Sequence, residues 1–381
     1  MGTDHQVESI GTDAQEPSSR RMSRREMLVN AGGTVAVAGA ALLGAKVLYD
    51  PRGDAGLRPP EPIHLKDYFA KVKESYPASA PRISAAFGPA EAVDSVDHIQ
   101  RMVAAAVGGL DKDLGMKRFI AKGDVVCLKP NVGFDRGPTL GATTNPEVVR
   151  AVIRLCREAG ASRIIVADNP IEDPAACFAK SGIRAAAQAE GAEVVIHSEA
   201  HDAAVQVRPG APDPARHEAL GTWNIFWKPL KEADKVIGLP PIKDHNLCFA
   251  SMSMKNWYGL LGGRRNQFHQ AIHNIVSDLG FMMKPTLIVV DGTRVMMQNG
   301  PTGGRLQDIK IGGQAGRPVI VASVDSLACD SYCLQTLLGR DPANLQYLQY
   351  AWEKYGSDPT RLVAPHWQEY KQQGKVVEAS L

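Results

Sequence analysis

Apolar and polar positions alternate in short blocks along the chain. Seven runs read as strands: Arg82–Gly88, Val125–Asn131, Arg163–Asn169, Glu193–Ser198, Lys235–Leu239, Leu287–Asp291 and Val319–Val324. Most are rich in Val and Ile, which suit a pleated, buried surface. Between the second and third, Val148, Val149, Val152, Ile153 and Cys156 recur at helical spacing. Thr144-Asn145-Pro146-Glu147 predicts the start of that helix, with Thr144 and Glu147 as a capping box and Pro in the first turn; Gly160 predicts its end. Strand, helix and strand between residues 125 and 169 make a βαβ unit, which requires parallel pairing. The expected fold is therefore α/β: an open, largely parallel or mixed twisted sheet with helices on both faces. Further helices are predicted near Leu65–Glu74 and over Asn266–Leu279, the latter with Phe268, Ile272, Ile275, Val276 and Leu279 on its apolar side. Ala200–Trp227 reads as an excursion over the surface, and no internal repeat is visible.

The ends of the chain read differently from its body. Residues 1–19 are polar, and Arg20-Arg21-Met22-Ser23-Arg24-Arg25-Glu26-Met27-Leu28 then leads into an uncharged Gly/Ala-rich run to Ala45. This resembles the twin-arginine export signal of bacteria. The run also falls within the ~17–25 residues that can cross a bilayer. Residues 1–48 are thus expected to be a twin-arginine signal peptide or an N-terminal anchor. Residues 49–80 form a Pro-rich linker, 81–345 an α/β domain, and 346–381 a C-terminal helical tail. The expected destination is the periplasm or the outer face of the cytoplasmic membrane. The twin-arginine translocase is the partner during export, and an uncleaved signal is the only membrane tether.

Composition narrows the function classes. Lys plus Arg number 43 against 41 Asp plus Glu, a formal charge of +2. That balance lacks the basic excess of a nucleic-acid protein. Six Cys over 381 residues are too sparse for a disulfide scaffold. Cys329 and Cys333, one helical turn apart, read as small buried residues.

Ligands of open parallel sheets bind beyond the carboxyl ends of the strands. Those ends carry Lys129-Pro130-Asn131, Asp168-Asn169, Lys243-Asp244-His245 beyond Leu239, Asp291-Gly292 and Asp325. Mixed Lys, His, Asn and Asp at successive ends predict one polar cleft. The Gly133–Gly141 loop feeds the start of the 146–159 helix, a natural anion position. It matches neither a P-loop nor a dinucleotide-binding turn, which disfavours nucleotide binding of those kinds. Gly259 to Arg265 brings guanidinium groups beside a flexible backbone, suited to bidentate capture of carboxylate or phosphate.

The candidate roles follow from side-chain chemistry. Lys129, Asn131, Lys243, Asn256, Arg265 and Asp291 are expected to bind a small anionic substrate. Lys255, His245 and His269 are the catalytic candidates, the imidazoles moving protons near neutral pH. Lys243 and Lys255 bind an anion or, with depressed pKa, act as base or Schiff-base nucleophile. His269 and His273, four apart, could hold a divalent metal with Asp325, or with the His245–Cys248 stretch.

In combination these motifs resemble the bacterial and archaeal family called domain of unknown function 362. The matching residues are Lys129-Pro130-Asn131, Thr144-Asn145-Pro146, Lys243 with His245, and Lys255-Asn256 with Gly259. Arg265 and His269, Asp291-Gly292, Gly300-Pro301-Thr302-Gly303, and Asp325 with Asp330 follow. The likeness covers roughly Ile120 to Gly339. Many members carry a Cys-x-x-Cys-x-x-Cys ferredoxin-like module; this sequence lacks it, so the resemblance implies no iron–sulfur cluster. A remoter likeness, at the level of fold, is to the nickel-dependent lactate racemase group. The expectation is an exported protein with a Lys/His/Asp anion-binding cleft, acting as a metal-assisted enzyme on a small acidic substrate. The alternative is a non-catalytic cofactor-binding or maturation protein for exported redox proteins.

Overall fold

A computed structural model describes residues 63–207, 220–355 and 367–381 of the chain. The expected signal or anchor at 1–48 and the first part of the linker lie outside the described residues. Among the described residues, no helix is long and apolar enough to cross a membrane.

Among the described residues there are fourteen strands: β1 (Ile63–His64), β2 (Ile83–Phe87), β3 (Val125–Pro130), β4 (Arg163–Asp168), β5 (Glu193–Ile196), β6 (Asp202–Gln206) and β7 (Thr222–Phe226) in the first half. The second half adds β8 (Lys235–Leu239), β9 (Pro241–His245), β10 (Phe249–Ser251), β11 (Leu287–Met296), β12 (Ile309–Ile311), β13 (Val319–Ser323) and β14 (Val376–Ser380). The main sheet is open, in the order β14-β2-β13-β11-β8-β3-β4-β5. Only β13 runs against its neighbours on that path. The α/β fold expected from the sequence is therefore present, with a mostly parallel mixed sheet.

Each central strand buries both faces, and period-two alternation sorts its residues into two layers. In β3, Cys127 faces one layer while Val126 and Leu128 face the other; Ile165 and Ala167 of β4 divide from Ile164 and Val166 in the same way. The layer holding Val126 packs under the Val96–Leu110 and Pro146–Ala159 helices, and the opposite layer under Ile272–Met282, Ser326–Thr336 and Gln346–Tyr355. Each fully buried Val, Leu or Ile stabilises this arrangement by roughly 1.5–3 kcal/mol relative to exposure.

Four local expectations are revised. The Pro146–Ala159 helix is capped by Asn145, whose side chain accepts from Glu147 N, instead of by Thr144. Thr144 Oγ1 is engaged elsewhere, accepting from Asn131 N and donating to Leu239 O. Gly160 ends the helix at φ +104°, a left-handed conformation that glycine adopts without strain. The predicted 266–279 helix is a 3-10 segment, Arg265–Ala271, followed by an α-helix, Ile272–Met282. Ala271 breaks the register at φ −131°, so His269 and His273 do not share one α-helical face. The stretch read as a surface excursion pairs β6 and β7 and docks β1 on β6, with Val205, Ile225 and Phe226 fully buried. Its residues 208–219 lie outside the described residues. The expected helical tail contains helices Gln346–Tyr355 and Trp367–Gln372, then ends in β14, which pairs in parallel with β2.

Candidate functional site

The carboxyl ends of β3, β4 and β8 open toward one place, and β8 leads directly into β9. β11 is long enough to run beyond the sheet and carry β9, which turns back as β10. This extension delivers Lys243 and His245 opposite Lys129 and Asp168. The short helix Ser253–Asn256 then brings in Lys255 and Asn256. Together these groups line a cavity of about 240 Å³ that also includes Asn131, Phe134, Tyr258, Gly259, Arg265 and His269. At about 30 Å³ per water, this is roughly eight waters' worth of space.

Four cationic side chains and a single carboxylate face the cavity. Lys129 is 1% exposed and fully engaged: its Nζ lies 2.7 Å from Asp168 Oδ1 and donates to Pro130 O (2.9 Å) and Asn256 Oδ1 (3.1 Å). Asp168 in turn accepts from Val132 N at 2.7 Å. Lys243, also 1% exposed, has no carboxylate; it donates to Ala142 O (2.5 Å) and Asn131 Oδ1 (3.2 Å) and lies 4.9 Å from the Phe134 ring centroid. Burial, reinforced by the charge of Lys255, pulls the Lys243 ammonium down to about 7. Lys255 is 9% exposed, and its Nζ lies 4.8 Å over the Tyr258 ring, with no hydrogen bond or ion pair among the described residues. Burial pulls Lys255, too, below the ordinary lysine range.

His245 Nδ1 accepts from Leu247 N at 3.2 Å, which in the neutral ring puts the proton on Nε2. Burial, then Lys255 and Lys243, push this imidazole down to about 2. In this tautomer it is a neutral donor beside the lysines. His269 is half-buried; its Nδ1 lies 2.9 Å from Asn266 O, leaving Nε2 as the basic position.

Three expected site residues stand elsewhere. Asp291 accepts from Asn145 N (2.7 Å), Thr293 N (2.9 Å) and Thr293 Oγ1 (2.6 Å), and so pins the start of the 146–159 helix to β11. The helix N-terminus expected to receive an anion is thus filled by the chain's own groups. Asp325 caps the Ser326–Thr336 helix through Leu327 N and Ala328 N and accepts from Tyr370 Oη at 2.8 Å. His273 lies outside the cavity lining, its ring centroid 6.5 Å from that of Tyr347. The expected metal set His269, His273 and Asp325 does not converge, and no three His, Cys, Asp or Glu side chains form a metal-holding group among the described residues. Arg265 does reach the cavity wall, but its guanidinium donates to Asn169 O (2.9 Å) and Pro170 O (2.6 Å). It clamps two loops instead of offering a free fork.

A larger cleft of about 530 Å³ adjoins on the far side of His245, lined by Asp244, Phe249, Arg340, Asp341 and Leu345 among others. Its Arg340 and Asp244 pair at 2.6 Å, so it has no comparable excess of positive charge.

The sequence model for a domain of unknown function (DUF362) matches residues 126–335. The chain belongs to this family. A thylakoid-associated protein of Synechocystis sp. (strain ATCC 27184 / PCC 6803 / Kazusa) is similar to it, 29% identical over 254 residues, covering 65% of this chain and 72% of the relative. The stretch matched to the DUF362 family includes every lysine of the cavity.

Sequence reasoning missed Tyr258 and Phe134, whose ring faces support Lys255 and Lys243. Tyr258 lies inside the Lys255–Gly259 motif and was legible there; Phe134, in a loop, had no periodic signal. It placed Asp168 at the polar cleft without giving it a role, and it understated Asp330. Asp330 accepts from Ser253 N (2.8 Å), Ser253 Oγ (2.5 Å) and Met254 N (3.1 Å), holding the first turn of the helix that carries Lys255. Burial pushes its carboxyl up to about 6.

Proposed function

We propose that this DUF362 protein binds a small acidic ligand, a carboxylate or phosphate, in the lysine cavity. One observation carries the reading: among the described residues, Lys243 and Lys255 are buried together with no carboxylate partner, while the one acid in the wall is committed to Lys129. Buried cations without a counter-charge are costly, and they either shed protons or acquire an anion. An anion in the cavity would restore the protons of the depressed lysines. Asn131, Asn256 and the His245 Nε2–H supply neutral donors around it. The small volume favours a compact acid over a polymer or nucleotide.

Titration calorimetry of the full chain with inorganic phosphate, oxalate and pyruvate tests this. At least one anion is expected to bind, with heat and affinity lost in Lys243→Met. Absence of binding by all three, or undiminished binding in Lys243→Met, overturns the reading.

Export by the twin-arginine route belongs to the same proposal and rests on the Arg20–Leu28 pattern. A relative described as thylakoid-associated suits a chain that meets a membrane. Fusing residues 1–48 to a folded reporter should direct it out of the cytoplasm, and replacing Arg24 and Arg25 with Lys should retain it. Retention of the unaltered fusion rejects this part.

A further inference from the structure

The geometry points to a covalent role: we propose that Lys255 captures the carbonyl group of a small 2-oxo acid as an imine. The inference rests on the anion-binding reading and names the class of acid. Three lysines reach the cavity, and their nitrogens are not equivalent. Lys129 Nζ is bound by Asp168, Pro130 O and Asn256, and Lys243 Nζ by Ala142 O and Asn131. Lys255 Nζ alone of the three has no hydrogen-bonding partner among the described residues, only the face of Tyr258. Its helix turn is fixed from below by Asp330, so the amine is held at the cavity while its nitrogen stays free. Desolvation favours the neutral amine, which is the nucleophilic form.

A 2-oxo acid fits this asymmetry because its carboxylate and its electrophilic carbon are adjacent. The carboxylate is held by the Lys243 ammonium and Asn131, leaving the carbonyl toward Lys255. The nitrogen lone pair attacks the carbonyl carbon and the C=O π pair moves to oxygen, which takes a proton. Loss of that oxygen as water gives the protonated imine. Overall, one neutral amine, one ketone and one proton from solvent give one iminium and one water, so no oxidant or reductant is required. The neutral His245 Nε2–H is the available donor to the oxygen as charge develops.

The test is reductive trapping. The full chain is incubated with pyruvate and sodium borohydride, digested, and the peptides weighed. One reduced adduct on Lys255 is expected, and excess oxalate, an acid without a ketone, should suppress it. Lys255→Arg keeps a cation but cannot form the imine, so it should lose the adduct. The oxalate competition needs no variant, so a folding defect in Lys255→Arg leaves the test intact. Adducts confined to exposed lysines such as Lys112, or pyruvate bound calorimetrically without trapping, overturn the inference and spare the anion reading. Failure of pyruvate, oxalate and phosphate alike to bind overturns both.

Discussion

Lys129 on β3 and Lys243 on β9 are equally buried, reach the same cavity, and have opposite surroundings. Lys129 has a carboxylate at 2.7 Å and two further acceptors. Lys243 has two neutral oxygens, an aromatic face and a second lysine nearby. The comparison separates two uses of a buried charge. A paired lysine holds the wall together, whereas an unpaired one stores an electrostatic deficit that a ligand can relieve.

The largest expected effect breaks the closed pair. Lys129→Ala strands the Asp168 carboxylate in a dry site and should destabilise the fold by about 3–5 kcal/mol in urea denaturation. Lys243→Met removes an uncompensated cation, so it should be neutral or stabilising by up to about 4 kcal/mol at pH 6 while binding of small anions is lost. Equal destabilisation by both variants would end the distinction.

Gly259→Ala attacks the same pair through the backbone. A Cβ there would lie 2.1 Å from Asp168 Oδ1 and 2.6 Å from Lys129 Nζ, so the ion pair must shift. The expected cost is about 1–3 kcal/mol, as for other overpacked sites. It should vanish when the variant is combined with removal of both charges. Persistence of the cost in that background would show that the glycine is needed for its backbone and not for the pair.

Much of this was legible in the chain itself. Val- and Ile-rich runs marked the strands, and Pro146 and Gly160 marked one helix at both ends, although its cap was read as Thr144 and is Asn145. The lysines were found because they follow strand ends, where a parallel sheet opens. The role of Asp291 was not, since a carboxylate at a strand end looks the same whether it faces a ligand or caps a neighbouring helix. His269 and His273 misled for a related reason. Spacing by four implies a shared face only if the helix is regular, and the break at Ala271 depends on tertiary packing. Lys129 and Lys243 could not be told apart, because their difference lies in Asp168, distant in sequence from both.

A third, smaller effect is in pH. Lys243 titrates at about 7 under the combined influence of burial, Lys255 and Lys129 on one side and Asp168 and Cys248 on the other. Its charged form binds the anion, so affinity should be steady below pH 7 and fall by up to about tenfold per unit above it. For the empty protein the sign reverses. A lysine lowered in the folded state contributes stability as pH rises from about 7 toward the unfolded lysine value, near 10.4. Calorimetric titrations from pH 5.5 to 9 and melting curves over the same range check the two trends. In Lys243→Met the affinity trend is lost with binding itself, and the stability trend should weaken to what Lys255, also lowered by burial, contributes; an undiminished stability trend would move the titration to another group.

The smallest effect falls on His245, and it sharpens what a neutral imidazole between lysines does. Its Nδ1 is tied to Leu247 N, and Lys255 and Lys243 add to burial in keeping it uncharged. His245→Gln retains an amide donor, and His245→Ala removes it. Loss of one neutral hydrogen bond corresponds to about 0.5–1.5 kcal/mol, so the alanine variant should bind the anion at most about tenfold more weakly and the glutamine variant less than that. Because the ring of the empty protein carries no charge between pH 5.5 and 8, neither variant should change the shape of the affinity profile across that range. A step near pH 6 in the unaltered chain that is missing from both variants would mean that His245 takes up a proton with the ligand. The imidazole would then stand with Lys243 as part of the charge deficit.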